Sequence, residues 1–217
     1  MTSPSRRTFL ASSGLGWSAT GAASNVAAST PQFEIEDQEP FRAQTRRLKV
    51  TNQGRYVTSL ISSVDYPTHF RLKPELYPVL TPKGFPVTDS HPYCFIHHQS
   101  IMCGHGRVRT EDGRVIDFYR KLNFPERSRD DPWHTPEKNL YHLGPSGIQR
   151  IMEAKWEVGE RAVIDLTLAW QTRERDSEEG ETILMEERRY ELSQLGSHTT
   201  IDHFSRLTPK EERCVLE

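Results

Sequence analysis

The sequence predicts a mostly β protein, built as a large antiparallel β-sandwich. Apolar and polar residues alternate over Arg161–Trp170, so that every second side chain from Ala162 to Trp170 lies on one face of a strand. A helical period never persists for three turns outside the ambiguous piece Met185–Leu192. Short strands separated by turns, with no helices between them, are typical of antiparallel sandwiches and barrels.

Alternation and turn residues predict the strands in order. In the first half the predicted strands are Gln32–Glu36, Leu48–Val50 and Tyr56–Ile61, with a turn at Asn52–Gly54 between the last two. The prolines in Leu76–Leu80 suit an edge strand or a loop. In the second half, a loop over Asn123–Asn139 separates the predicted strands, which are Gly113–Tyr119, Ile148–Trp156, Arg161–Trp170, Thr182–Leu192 and Thr199–Phe204.

Composition limits the class of protein. The chain has 217 residues, of which 35% are hydrophobic and 27% charged, and this is enough to bury one core. We therefore expect a single β-sandwich domain over residues 31–217. The formal net charge of −2 gives no overall basic field, so neither a nucleic-acid partner nor an anionic membrane is expected. After the N-terminal segment no stretch has the length of a membrane span.

Residues 1–30 are typical of a twin-arginine signal peptide. Arg6 and Arg7 precede a weakly apolar run over Phe9–Ala23, and Val26–Ala28 offers small residues for cleavage. The alternative is a disordered basic tail. The signal predicts a soluble protein that lies in the periplasm or outside the cell after export. Export in the folded state is common for proteins that acquire a metal or cofactor in the cytoplasm, although no particular cofactor can be named from the sequence.

The segment Leu76–Tyr119 concentrates the residues that are able to carry chemistry. It holds four of the nine histidines and two of the three cysteines. Because the number of cysteines is odd, they cannot all pair within the chain, and the sequence predicts no complete set of disulfides. Cys94 and Cys103 either pair across a hairpin in an oxidising compartment or remain two small buried thiols.

Strand geometry separates the histidines of this segment. If Cys94–Met102 is a strand that ends at the turn Gly104–Gly106, then His98 and His97 face opposite sides of the sheet. The neighbours of His97 on its face are mostly apolar, which predicts a buried His97 with a hydrogen-bond partner. We expect His98 and His105 to open onto a common concave surface with Asp117 or Tyr119.

Two kinds of chemistry fit this set, and a third interpretation is structural. In a sugar site, one histidine acts as general acid, another orients the substrate, and a carboxylate acts as base, as in epimerases on large β-sandwiches. In a metal site, two imidazoles and a carboxylate suit non-haem iron or a catalytic zinc. In the structural interpretation, Gly104–Gly106 is a tight turn with a hydrogen-bonded histidine. Trp133, in the polar loop, is the tryptophan best placed to stack on a ligand.

Several motifs together resemble a bacterial family labelled PmoA-like, or "methane oxygenase". They are Leu76–Leu80, Gly84–Thr88, His97–Ser100, Gly104–Gly106 and Asp117–Phe118, and Trp170 with Leu184–Arg188 resembles the next block of that family. The resemblance implies that Glu187 and Arg188 contribute to a site, and its label implies a metal-dependent oxygenase. The chain departs from the family at Cys94, Phe95 and Ile96, where Asp-His-Pro is common, and at Gln99, where Arg is usual. Because members of that family continue beyond the position that corresponds to Glu217, the resemblance implies a truncated member, whose sandwich would be incomplete at the C-terminus.

The sequence as a whole predicts an exported protein that binds or transforms a carbohydrate through a histidine-rich site. The expected partner is a small-molecule ligand such as a sugar. The alternatives are the metal-dependent oxygenase and a binding module without catalysis. The catalytic candidates are His98, His105 and Asp117, and the ligand-binding candidates are His97, Tyr119, Trp133, Glu187 and Arg188.

Overall fold

The structure, a computed structural model, describes residues 33–39, 46–62, 73–90, 98–119, 147–172, 180–210 and 213–217. Over these residues every regular element is a strand and every strand pairing is antiparallel, which confirms the predicted fold class. In the described part of the chain, no helix has the length and apolar character that crossing a membrane requires. The predicted signal peptide, His97 and Trp133 lie outside the described residues.

The strands form three sheets. A five-stranded sheet has the order β1-β2-β3-β4-β5, a four-stranded sheet the order β11-β10-β9-β8, and a small sheet the order β12-β6-β7. The strands are β1 (Phe33–Asp37), β2 (Arg46–Asn52), β3 (Arg55–Ser62), β4 (Glu75–Leu76), β5 (Ile101–Met102), β6 (Val108–Thr110), β7 (Val115–Ile116), β8 (Gly147–Val158), β9 (Ala162–Thr172), β10 (Thr182–Leu195), β11 (His198–Pro209) and β12 (Cys214–Leu216).

The hairpin of β2 and β3 lies where the turn was predicted. Gln53 has φ 51° and Gly54 has φ 71°, so both central residues adopt the left-handed conformation of a two-residue type I′ turn. This turn follows the right-handed twist of its strands. The turn sets the register next to it, with Thr51 opposite Tyr56, and an irregularity between Val50 and Thr51 shifts the pairing by one residue. This shift brings Leu48 opposite Leu60 in the core.

The four-stranded sheet confirms the clearest alternation in the sequence. Ala162, Ile164, Leu166, Leu168 and Trp170 are buried on the inner face of β9. They join side chains of the five-stranded sheet, such as Leu48 and Leu60, and of the small sheet, such as Ile116, in one hydrophobic core. The ambiguous piece Met185–Leu192 is strand, as part of β10. The core therefore lies between the sheets, as in a sandwich.

The histidine-rich segment contains less strand than its pattern predicts. Within the described residues, Ile101–Met102 is the strand part of the predicted Cys94–Met102, and β4 is also two residues long. The prolines in Leu76–Leu80 predict an edge strand or a loop, and residues 77–79 are indeed outside any strand, but Leu76 belongs to β4, which lies between β3 and β5. This is feasible because Glu75 and Leu76, the paired residues, come before Pro78 and keep their backbone donors.

Candidate functional site

A buried ion pair lies on the inner face of β10. Glu186 and Arg188 are two residues apart on this strand, so both side chains point toward the core, where Glu186 is 0% and Arg188 1% exposed. The guanidinium donates from Nε to Glu186 Oε1 and from Nη2 to Glu186 Oε2, both at 2.7 Å. This forked geometry is the strongest arrangement for an arginine and a carboxylate.

Two further side chains donate hydrogen bonds to the carboxylate of Glu186. Trp170 Nε1 donates to Oε2 and Ser205 Oγ donates to Oε1, both at 2.7 Å. Each oxygen therefore accepts two hydrogen bonds. Burial pushes the pKa of Glu186 upward, but the hydrogen bond and positive charge of Arg188, with Ser205 and Trp170, outweigh it and hold this pKa below its usual value. Glu186 is a fixed anion.

Arg188 links the ion pair to the opposite sheet and to the histidine-rich segment. Its Nη2 donates to Gln149 Oε1 at 2.9 Å, and Gln149 Nε2 donates to the backbone oxygen of Cys103 at 2.8 Å. The Nη1 group lies 3.5 Å from the backbone oxygen of Pro74, next to β4. The pair thus lies where the end of the five-stranded sheet meets the four-stranded sheet.

Lys73 is a second buried cation at this end of the sandwich. It is 6% exposed, and burial lowers its pKa to about 8, although Asp117, Glu75 and Cys103 act in the opposite direction. Its ammonium donates to the backbone oxygen of Tyr119 and lies 5.1 Å from the centroid of the Tyr119 ring. The pKa of this lysine is therefore well below that of an exposed lysine.

The loop around His105 packs directly on Lys73. The backbone oxygen of His105 accepts a hydrogen bond from Phe118 N–H at 2.8 Å, and Asp117 Oδ1 accepts one from Tyr119 N–H, also at 2.8 Å. Gly104 lies against the aliphatic part of Lys73, because a Cβ added there would be 2.8 Å from Lys73 Cδ. The structure thus brings the predicted residues Asp117 and Tyr119 to Lys73.

The predicted histidines have separate surroundings. His98 is exposed and lies just before β5. His105 is half-buried, and its Nε2 lies 2.8 Å from the backbone oxygen of Glu217, whose carboxylate is held by Arg107 and Arg109. The convergence of His98 and His105 on one surface stays a prediction.

The two candidates on β10 lie on opposite faces of the sheet. Arg188 is buried in the ion pair with Glu186, whereas Glu187 points outward and pairs with Arg206 at 3.2 Å. Sequence reasoning missed Lys73 and Glu186. The signal for Glu186 was available, since Glu186, Arg188 and Tyr190 occupy the alternate positions of β10 that continue the apolar face of Leu184 and Leu192.

One group of side chains has the composition of a metal site. The ligand atoms of Cys103, Glu186 and His203 all lie within 4.8 Å of one another. Burial raises the pKa of the Cys103 thiol and lowers the pKa of His203, whose ring stacks on Tyr190 with 5.0 Å between centroids. Cys103 is a free thiol, not half of the disulfide that was one of its two predicted alternatives, and Cys94 lies outside the described residues. A metal would bind the thiolate and imidazole first, since Glu186 already neutralises Arg188.

Comparison with known proteins gives a family and nothing closer. Residues 47–217, well over half of the chain, match the model described as "Family of unknown function (DUF6807)". No curated protein and no solved structure matches the chain.

Proposed function

We propose that this chain, which belongs to the family of unknown function DUF6807, binds a carbohydrate and transfers protons on it at the end of the sandwich that holds Lys73 and Asp117. The observation that carries the proposal is the Lys73 ammonium, buried beside Asp117 with a pKa of about 8. A group with a pKa near the working pH is an efficient general acid or base. The protein would act in the periplasm or outside the cell, after twin-arginine export.

Opening of a sugar ring needs a matched acid and base. One group protonates the ring oxygen while another removes the proton of the anomeric hydroxyl. In this proposal the Lys73 ammonium is the acid and the Asp117 carboxylate is the base. The half-buried ring of Tyr119 offers an apolar face, and His98 and His105 orient hydroxyl groups.

Mutarotation of freshly dissolved α-D-glucose and α-D-galactose, followed by polarimetry, tests the reaction. The protein should accelerate the change in rotation of at least one sugar. Lys73→Met and Asp117→Asn should each reduce this acceleration by roughly 10²-fold or more, because each removes one proton-transfer group. Asp165→Asn is the matched control, since Asp165 is exposed and pairs with Arg189 on the outer face. An unaccelerated rotation with both sugars contradicts the proposed reaction.

Binding of the same sugars, measured by calorimetry, tests the site separately from the reaction. His98→Ala and His105→Ala should abolish binding with little loss of stability, whereas His97→Ala should mainly destabilise the fold. Binding without acceleration would identify a non-catalytic carbohydrate-binding module. Affinities that are unchanged in both His98→Ala and His105→Ala would remove the histidines from the site.

A metal-dependent oxygenase is the second candidate, favoured by the grouping of Cys103, Glu186 and His203. Elemental analysis of the protein purified with residues 1–30 intact should then find stoichiometric iron, copper or zinc. Cys103→Ser and His203→Ala should each lower the metal content. A metal-free protein, or a metal content that neither variant changes, would end this candidate.

A further inference from the structure

A long strand, β11, forms one edge of the four-stranded sheet. It runs for 12 residues and pairs with β10 from Leu184 opposite Pro209 to Leu195 opposite His198, without any shift in register. Among the described strands, β10 is the only partner of β11. In an antiparallel strand, alternate residues direct both backbone groups away from such a partner. The outer side of β11 therefore presents a regular row of donors and acceptors.

This edge lacks three of the features that protect many edge strands, namely proline, lysine and a β-bulge. Between Thr199 and Thr208 there is neither proline nor lysine, and the pairing shows no bulge. The opposite edge, β8, differs. Its pairing shifts between Ile151 and Glu153, and Gly159, just after its end, accepts a hydrogen bond from Phe33 N–H in β1. Of the two edges, β11 is thus the one suited to further pairing.

We propose that two copies of the chain pair through β11, antiparallel and across a two-fold axis at Phe204. This register places Asp202 of each copy opposite Arg206 of the other, with Phe204 opposite Phe204 between them. All three residues lie on the exposed outer face, where Phe204 is 56% exposed and the side chain of Arg206 is 78% exposed. On the inner face, Ile201 comes opposite Leu207.

The charges select this register. A two-fold axis at His203 would set Asp202 opposite Phe204 and Arg206 opposite Thr200. An axis at Ser205 would likewise place no opposite charge across the interface from Asp202 or Arg206. Opposite charges and aromatic pairs directly across an antiparallel ladder are each stabilising. Because the interface is isologous, each charge pair occurs twice.

The pairing joins two four-stranded sheets into one continuous eight-stranded sheet. A strand of this length extends about 40 Å, so the paired edges form a long but narrow contact. Such a contact is at the small end of specific interfaces, and the dimer should dissociate on dilution. Phe204, otherwise an exposed aromatic ring, is covered by its symmetry mate.

Sedimentation velocity of the full chain over two orders of magnitude in concentration tests the proposal. The apparent mass should rise with concentration from 25.0 kDa toward twice that value. Asp202→Arg or Arg206→Asp alone should weaken association by about tenfold or more, because each places two like-charged pairs at the interface. The double variant Asp202→Arg/Arg206→Asp should restore it. The matched control is Lys155→Glu, which breaks an exposed pair with Glu153 on the same face of β8, the other edge of the sheet, and should leave association unchanged.

A cross-link tests the position of the axis. Phe204→Cys places one thiol from each copy at the axis and should form an intermolecular disulfide on mild oxidation. Val158→Cys, at an exposed position on β8, should not. A chain that stays monomeric at all concentrations, single charge reversals that leave association unchanged, or equal cross-linking of both cysteine variants would overturn the proposal.

Discussion

Arg188 and Lys73 are two buried cations at the same end of the sandwich, and their surroundings differ. Arg188 contacts both oxygens of Glu186 at 2.7 Å, and that carboxylate is completed by Trp170 and Ser205. Lys73 donates to a backbone oxygen and faces an aromatic ring, while burial lowers its pKa to about 8. Arg188 is held in place by a complete set of partners, whereas Lys73 is close to losing its proton.

The difference separates a structural charge from a reactive one. Burying an ion is tolerated when its partner and hydrogen bonds replace the lost water, and the pair then has no reason to titrate. A buried amine with fewer such partners shifts its pKa instead. The comparison therefore favours a structural role for Arg188, which links β8 and the backbone next to β4, whereas proton transfer by Lys73 stays a proposal.

The largest expected effect on stability comes from breaking the buried ion pair of Glu186 and Arg188. Arg188→Met leaves the Glu186 carboxylate buried without its cation and should lower the free energy of unfolding by about 3–5 kcal/mol, measured by urea denaturation. The double variant Glu186→Gln/Arg188→Met should recover part of this loss, because no charge remains buried. Arg189→Met, the matched control, breaks an exposed 2.7 Å pair with Asp165 and should change stability by less than about 1 kcal/mol. Equal losses in Arg188→Met and Arg189→Met would contradict a structural role for the buried pair.

Lys73 should affect stability in a pH-dependent way. Below a pH of about 8 the lysine is protonated in both states, and the folded state bears the full cost of the buried charge. From there up to the usual pKa of 10.5, the folded state has lost the proton while the unfolded state keeps it, so the stability contributed by Lys73 rises with pH. Relative to Lys73→Met, the wild-type protein should gain up to about 3 kcal/mol across this window.

The quantity to measure is the difference in free energy of unfolding between the wild-type protein and Lys73→Met, by urea denaturation at several pH values. Burial raises the pKa of Tyr190, so its contribution to stability falls as the pH rises, but it does so in both proteins and cancels. Burial also raises the pKa of the Cys103 thiol and the charge of Lys73 acts in the opposite direction, so both proteins are compared with Cys103→Ser present. A wild-type advantage that does not change between neutral and alkaline pH would mean that Lys73 keeps its proton like an exposed lysine.

The sequence predicts β9 better than its neighbour β10, which carries the Glu186–Arg188 pair. β9 alternates between apolar and polar residues, and its prediction is confirmed to within a few residues. β10 stays ambiguous in the sequence because its inner face carries Glu186 and Arg188, which interrupt the apolar alternation that identifies a strand. Buried charges hide the strand pattern because they occupy inward positions at which the alternation requires apolar residues.

Two of the residues around Lys73 are predicted from the sequence, whereas Lys73 itself is missed. Asp117 and Tyr119 were predicted from the histidine-rich segment, and the structure brings both to Lys73. Lysine is almost never fully buried, so a sequence gives no reason to place one in a core. The position of Lys73 depends on β4 pairing with β5, 26 residues further along, and such long-range contacts leave no local pattern.

Gly104 and Gly106 allow the smallest and most local test of how Lys73 is held. An added Cβ at Gly104 would lie 2.7 Å from the backbone oxygen of Phe118 and 2.8 Å from Lys73 Cδ, whereas at Gly106 the nearest atoms are 3.9 Å away. Gly104→Ala must displace the lysine or the backbone, and should cost about 1–3 kcal/mol in urea denaturation. Gly106→Ala should be neutral or slightly stabilising, because it restricts the unfolded chain.

The same pair of variants connects packing to proton transfer. If the Gly104 contact keeps Lys73 in its buried position, Gly104→Ala should also reduce the pH-dependent gain in stability that the lysine produces, since a displaced ammonium regains water and its pKa returns toward the usual value. Gly106→Ala should keep that pH dependence in full. Two alanine variants with equal stability and equal pH profiles would show that the close contact at Gly104 does not position Lys73, and the lowered pKa would then need another origin.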